Sequence, residues 1–439
     1  MYTMANPIFT VTEHLIDAQY IREYPRATTT QDAPLKLSVK KYTPKNNQNP
    51  TEGDITLIGV QGTGFPKEIY EPLWEDLLAR CETDGFRIRA IWIADAVNQG
   101  ASGIQNESYM GNDPSWYDNS RDVLHMINHF RAEMPRPIMG VGHSIGAVQQ
   151  IFLSLIHPRL FTSLILIEPY IHDVENGGGG GWVGKAAKRK DVWPSRSVVA
   201  KGSQKALGNW DSRAISRWVE YGYRELPTML HPLPEAANSD RPVTLATTKT
   251  QEISMYIRPN FKSHKQLGQL EEDGHEGDGP SPPHDPLLVP DMIGRLFKKQ
   301  RFYRPEPLLA WRLLPHVRPS VLYLSGAKSE LSLSGHQARA AKMTGTGFGG
   351  SGGQEYSRVK HIVIQKSGHT LPMERVVETA GAIGPWIGEE VRKWREDEQR
   401  IADGWNELSM REKASFSDEW WEMLDFTAPA LPKEKTSKL

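Results

Sequence analysis

The chain has 439 residues, enough for one large domain with an insertion or for two ordinary domains. Its 52 basic and 53 acidic side chains leave a formal net charge of -1, which argues against nucleic acid as the main partner, because counterion release needs a basic face. Apolar residues make up 38% of the chain, adequate for a packed core but low enough to imply long polar loops. No apolar run approaches the roughly 20 residues that a membrane span requires, and the start, MYTMANPIFTVTEHLI, has neither the basic opening nor the apolar stretch of a secretory signal.

In chain order, residues 35–42 (LKLSVKKY) alternate like a half-exposed antiparallel edge strand. Residues 55–60 (ITLIGV) read as a buried strand, followed by a Gly-rich turn and a helix, PKEIYEPLWEDLLARC. The lone cysteine, Cys81, ends that helix, so no intramolecular disulfide is possible, and it reads as structural in a reducing compartment. Residues 87–93 form the next strand, 115–134 a helix, 137–142 (PIMGVG) a strand, 145–156 a buried helix and 163–167 (SLILI) another strand. Two more strands follow late, at 320–324 and 359–365. Repeated strand–helix alternation predicts an α/β fold, a mainly parallel sheet with helices on both faces.

The alternation breaks between Pro169 and about Arg318. This stretch opens with five glycines at 177–181, carries the basic run Lys185, Lys188, Arg189 and Lys190, and is rich in aromatic residues (Trp193, Trp210, Trp218, Tyr221, Tyr223). It is expected to be a large helical cap with a mobile loop around 267–287. The expected organisation is therefore core at 1–169, cap at 170–318, core again at 319–426 and a flexible tail at 427–439. Residues 344–353 (TGTGFGGSGG) lack the strand-to-helix setting of a dinucleotide loop and read as a flexible loop. The chain finishes Ser437-Lys438-Leu439, a peroxisomal address read by an import receptor.

The strongest chemical signal is Gly142-His143-Ser144-Ile145-Gly146 between a strand and an apolar helix. That setting holds a serine on a strained turn with its hydroxyl lifted above the sheet, and the glycines leave room for neighbouring backbone. A serine needs a base; His369, in the loop after the last strand, is the best placed of 14 histidines. Two carboxylates compete to orient it, and Glu168 is favoured. Glu168 terminates the SLILI strand, where burial would be costly unless the protonated histidine paired it; Glu330 follows Ser329 in LYLSGAKSEL, the commoner position. For the oxyanion, the expected donors are the backbone N–H of Ile145 and that of Thr63 in the Gln61-Gly62-Thr63-Gly64-Phe65 turn. The basic run at 185–190 would suit the phosphates of coenzyme A or a solvated face equally. No metal site or cofactor is expected.

Over most of its length the chain resembles the fungal peroxisomal α/β-hydrolases of secondary metabolism, which include the acyl-CoA hydrolase of mycophenolic acid biosynthesis and the hydrolases of host-selective toxin clusters. The resemblance is carried by IREYP, FPKEIYEPLWEDLL, IRAIWIAD, SWYDNSRDVLHMINHFR, MPRPIMGVGHSIG, HPRLFTSLILIEP, VRPSVLYL, GFGGSGG and the GHTLP loop. It implies the α/β-hydrolase fold, a triad of Ser144, Glu168 and His369, acyl-CoA substrates and a homodimer. Glu168 departs from an aspartate, and Gln61-Gly62 from a His-Gly pair, in the mycophenolate enzyme. The resulting expectation is a peroxisomal serine hydrolase of bulky acyl-CoA thioesters. The same triad would serve a carboxylesterase or lipase, and a catalytically silent binding protein is the reading from another class.

Overall fold

Runs of β-branched and leucine residues bounded by turns bury both faces of a strand only if helices cover both sides, and the sheet obeys this. The computed structural model describes residues 7–174, 180–233, 241–259, 287–288, 290–291 and 302–425. Within them lies an eight-stranded sheet: β1 (Phe9–Asp17), β2 (Lys36–Pro44), β3 (Ile55–Val60), β4 (Ile88–Ala94), β5 (Ile138–His143), β6 (Ser163–Ile167), β7 (Ser320–Gly326) and β8 (Val359–Ile364). Their order is β1-β2-β4-β3-β5-β6-β7-β8. β2 runs antiparallel to β1 and β4, and the strands from β4 to β8 are parallel. β2 alternates as expected but is not the edge: β1, whose outward residues are mostly exposed, takes that place.

β6 shows how the core is divided. After α2 (Gly100–Gln105) and α3 (Trp116–His129) comes α4 (Ile145–Ile156), whose Ile145, Val148 and Phe152 join one apolar cluster with Leu164 and Leu166. Ile165 and Ile167 join the other, with Leu73 and Leu77 of α1 (Glu71–Asp84) and with Ile383 and Ile387 of the helix Val376–Ala402. All four β6 side chains are fully buried, each contributing on the order of 1.5–3 kcal/mol by transfer from water. Cys81 on α1 is buried, and burial pushes its thiol up to about 12, as suits an inert packing residue.

The stretch read as a cap holds α5 (Gly180–Lys188), α6 (Arg196–Ala206), α7 (Ser212–Tyr221) and α8 (Lys249–Tyr256). Ser195, Asp211 and Thr248 cap the last three with side-chain acceptors. It also holds a three-stranded antiparallel sheet of Val192–Trp193, Val243–Leu245 and Tyr223–Glu225, an element the helical expectation did not include. Its last helix, Glu306–Leu313, belongs to the sheet instead, since Ala310, Leu314 and Val317 join the α4 cluster. The loop 344–353 is not loose as expected: backbone bonds tie Gly345 to Leu314, Gly347 to Pro315 and Ser351 to Val317. A Cβ on Gly350 would lie 2.3 Å from Pro315 O, so the glycines permit that close docking.

The chain divides into two compact units, residues 1–391 and 392–439. In the second, Ser409 and Glu412 form a capping box on the helix Met410–Lys413, and Phe416 stacks on Trp420. No helix of the described residues is long and apolar enough to cross a membrane. Part of the glycine run (177–179), the loop 267–286 and Ser437-Lys438-Leu439 lie outside the described residues.

The packing at the β5–α4 turn predicts a contrast between two glycines. A Cβ on Gly146 would lie 2.4 Å from Val60 O, whereas one on Gly184 meets nothing within 4 Å. Gly146→Ala should cost about 1–3 kcal/mol or more by overpacking, and Gly184→Ala, inside α5, should be neutral or stabilising by up to about 1 kcal/mol. Urea unfolding of the two variants checks this.

Candidate active site

The site sits where three parallel strands end side by side. β5 ends in a turn whose Ser144 has φ 55° and ψ -119°, a strained conformation for a residue with a side chain. The turn is held because the Ser144 N–H donates to Ile167 O at 2.9 Å, while a Cβ on Gly142 would lie 2.6 Å from Ala147 Cα. One strand over, Glu168 leaves β6 at φ 51°, with its N–H donating to Leu324 O of β7 at 2.8 Å. The loop after β8 then crosses back over β7. It passes so close that a Cβ on Gly326 would lie 2.4 Å from Gly368 O.

These turns bring together side chains far apart in sequence. His369 Nε2 lies 2.9 Å from Ser144 Oγ, and His369 Nδ1 lies 3.1 Å from Glu168 Oε2. Glu168 has no exposed surface. Burying a carboxylate costs several kcal/mol, offset only where donors surround it. Besides the imidazole, the Gly326 N–H donates to Oε1 at 2.5 Å and the Ser329 hydroxyl to Oε2. Glu330, the competing carboxylate, is exposed at the start of the short helix Glu330–Leu333 and is not brought to His369. Ser329, at the commoner acid position, instead holds the acid that stands one strand away.

The turn after β3 faces Ser144. The Gly62 N–H donates to the Tyr70 hydroxyl at 2.8 Å and the Gly64 N–H to Gln99 Oε1 at 2.7 Å. Between them, Thr63 N–H meets no acceptor among the described residues; nor does that of Ile145, at the start of α4. Both are free to meet an oxyanion. With its amide oriented so that both ends are paired, Gln61 donates to Ala94 O at 2.7 Å and accepts from Ala96 N at 3.0 Å, fastening this turn to the end of β4.

Residues 58–382 match the family described as the alpha/beta hydrolase family. The chain belongs to that family. Among curated proteins, the type I acyl-CoA thioesterase mpaH of Penicillium roqueforti is 40% identical over 415 residues, 90% of this chain and 91% of that protein. The type I acyl-CoA thioesterase mpaH' of Penicillium brevicompactum is 37% identical over 459 residues, 99% of each. Among solved structures, the peroxisomal alpha-beta-hydrolase Lpx1 of Saccharomyces cerevisiae superposes with a TM-score of 0.63 at 16% identity, covering 92% of this chain and 100% of that one. That likeness is one of fold.

The hydrolase site contains a second hydrogen-bonded chain that motif reading missed. His143 is buried beside Ser144; its Nε2 lies 2.9 Å from His369 O and its Nδ1 2.9 Å from the Tyr70 hydroxyl. A carbonyl only accepts, so Nε2 carries the proton, Nδ1 accepts from Tyr70, and the Tyr70 oxygen accepts from Gly62. One neutral histidine thus connects the Ser144 turn, the His369 loop and the Thr63 turn. Burial, and secondarily His369, push His143 down to about 3, so it stays neutral. The available sequence signal was a histidine inside a motif position that accepts any residue.

Above the Ser144 hydroxyl lies a cavity of about 580 Å³ walled by Phe65, Trp182, Trp193, Trp210 and Trp218, with Ser144 and His369 on its lining. Trp182 of α5 packs over the His369 ring, centroids 4.9 Å apart. Lys185 and Arg189 line the cavity; Lys188 and Lys190 of the same run are exposed and do not.

The buried, neutral His143 makes stability depend on pH. A histidine at 6.5 unfolded and about 3 folded binds its proton only in the unfolded chain between those values. Stability then rises with pH across that window, by up to about 1.4 kcal/mol per pH unit for one proton. Unfolding of His143→Asn between pH 4 and 7 should show a shallower pH slope than the parent, by roughly that amount.

Proposed function

We propose that this protein is a serine hydrolase that cleaves acyl-CoA thioesters of a bulky acyl chain, through an acyl-enzyme, in the peroxisome of a fungal secondary-metabolic route. The observation that carries the reading is the unbroken run of hydrogen bonds from Glu168 through His369 to Ser144 beneath an aromatic cavity. The names of its relatives at 36–40% identity, all type I acyl-CoA thioesterases, support the substrate class.

In this mechanism the Ser144 oxygen attacks the thioester carbonyl while His369 Nε2 takes its proton. Glu168 accepts the hydrogen bond from Nδ1, fixes the tautomer and stabilises the imidazolium. The N–H groups of Ile145 and Thr63 receive the developing oxyanion. The carbon–sulfur bond breaks, and coenzyme A departs as the thiol with the proton from His369. Water, deprotonated by the same ring, then attacks the acyl-enzyme; the acid is released and the serine restored. The aromatic cavity takes the acyl chain and limits water. Glutamate in place of aspartate fits here because the Ser329 hydroxyl and Gly326 N–H fix its longer side chain.

With a panel of acyl-CoAs and simple esters, Ser144→Ala should lose activity by about 10⁴-fold or more. Glu168→Ala should lose about 10²–10⁴-fold, with Glu330→Ala within about twofold of the parent. Released thiol measures this. Turnover of esters without thiol release would make it a carboxylesterase, and equal loss in the two glutamate variants would remove Glu168 from the mechanism.

For location, Ser437-Lys438-Leu439 supports import by the peroxisomal receptor, and the family resemblance supports a homodimer. A fluorescent fusion ending in the native tripeptide should be punctate and one lacking those three residues cytosolic; identical patterns would contradict the assignment.

A further inference from the structure

The proposed mechanism uses none of the charge in the cavity wall. Three ionisable side chains besides His369 place charge there: Lys185, Arg189 and Glu252. Glu252, on α8, is buried against the turn that carries Thr63, since a Cβ on Gly64 would lie 3.0 Å from its carboxyl carbon. It receives one nitrogen of Arg189, Nη2. The other terminal nitrogen, Nη1, has no protein partner among the described residues.

Lys185 is different. It is exposed where it lines the cavity, and its ammonium lies over the Trp182 ring, 4.8 Å from the centroid. Trp182 in turn packs over His369. No carboxylate pairs with Lys185 among the described residues. Glu252 thus pairs with Arg189 alone, and Lys185 holds a positive charge with no carboxylate partner among the described residues, separated from the catalytic imidazole by a single indole ring. Arg189, half-buried in a mostly apolar wall, has lost part of its hydration, which an entering anion would replace, and the exposed Lys185 adds a second charge of the same sign.

We propose that Lys185 and Arg189 form an anion subsite of this cavity, which takes a carboxylate or phosphate oxygen carried by the substrate. The inference rests on the hydrolase reading above and sharpens it. The acyl chain can supply the anion as a carboxylate of its own, or coenzyme A can supply it as phosphate. In either case Glu252 competes with the ligand for Arg189 and sets how strongly the subsite holds it.

The test uses four ligands: 3-phenylpropanoyl and 3-(4-carboxyphenyl)propanoyl thioesters, each on coenzyme A and on N-acetylcysteamine. Binding to Ser144→Ala protein is read by tryptophan fluorescence, so a failure of turnover stays separate from a failure of the subsite. Adding Lys185→Met should weaken the anion-bearing ligands by about tenfold or more and leave the neutral N-acetylcysteamine ester within about twofold. Adding Glu252→Gln should tighten the same anionic ligands. Loss that follows the ring carboxylate on either carrier assigns the anion to the acyl chain; loss that follows coenzyme A with either acyl group assigns it to phosphate. Lys185 has no carboxylate partner among the described residues to orphan, so its variant carries the test even if Arg189→Met disturbs the α5–α8 contact. Equal change for charged and neutral ligands in Lys185→Met, or no gain in Glu252→Gln, would overturn the subsite. Discrimination in binding without any turnover by the parent would remove the hydrolase reading and leave the subsite standing.

Discussion

Glu168 is a carboxyl group with no exposed surface, directly after a strand that ends in four buried aliphatic side chains, Leu164 to Ile167. Such a group persists only where fixed donors surround it, and supplying them constrains three separate pieces of chain. β7 must end in a residue without a side chain, because Gly326 both donates to the carboxylate and lets the loop after β8 pass over it. Ser329 must follow in the next turn. His369 must enter from above with Nδ1 toward the acid, which leaves Nε2 directed at Ser144. The geometry at the serine is thus a consequence of how the buried acid is satisfied.

The parallel order β5-β6-β7-β8 makes this possible, since it aligns the carboxyl ends of neighbouring strands. Backbone bonds then register the turns to one another, Ser144 to Ile167 and Glu168 to Leu324. Two residues with positive φ at adjacent strand ends represent strain of order 1–3 kcal/mol each, which the surrounding core sustains. The His143–Tyr70–Gly62 chain extends the same rigidity to the opposite wall. What lies above is an aromatic cavity lined by residues of short helices.

The strands and α4 could be read from the chain because their signals are local: apolar runs between turn residues, and a serine between glycines at a strand–helix junction. Ser163–Ile167 and Ile145–Ile156 match their expected bounds. β1 escaped as a strand because its outer face is exposed and its sequence, FTVTEHLID, mixes polar with apolar residues. The small sheet beyond α5 escaped because strands of two or three residues leave no periodic pattern. Among the site residues, Ser144 and His369 stood out by setting. Glu168 was favoured over Glu330 only by the cost of leaving a strand-end carboxylate unpaired, because the choice depends on which strand end the His369 loop approaches, a tertiary fact. His143 and Tyr70 were invisible for the same reason: they are 73 positions apart and meet only in the folded chain. The loop at 344–353 misled through composition, since its glycines serve close backbone docking and not freedom.

The most direct test of the central claim is to mix the protein with a slowly deacylated acyl-CoA, quench with acid within the first turnover, and map the adduct by peptide mass spectrometry. A burst of free thiol matching the enzyme, with the acyl mass on the peptide carrying Ser144, is expected. Thiol release with no covalent adduct, or an adduct on any other residue, would contradict it.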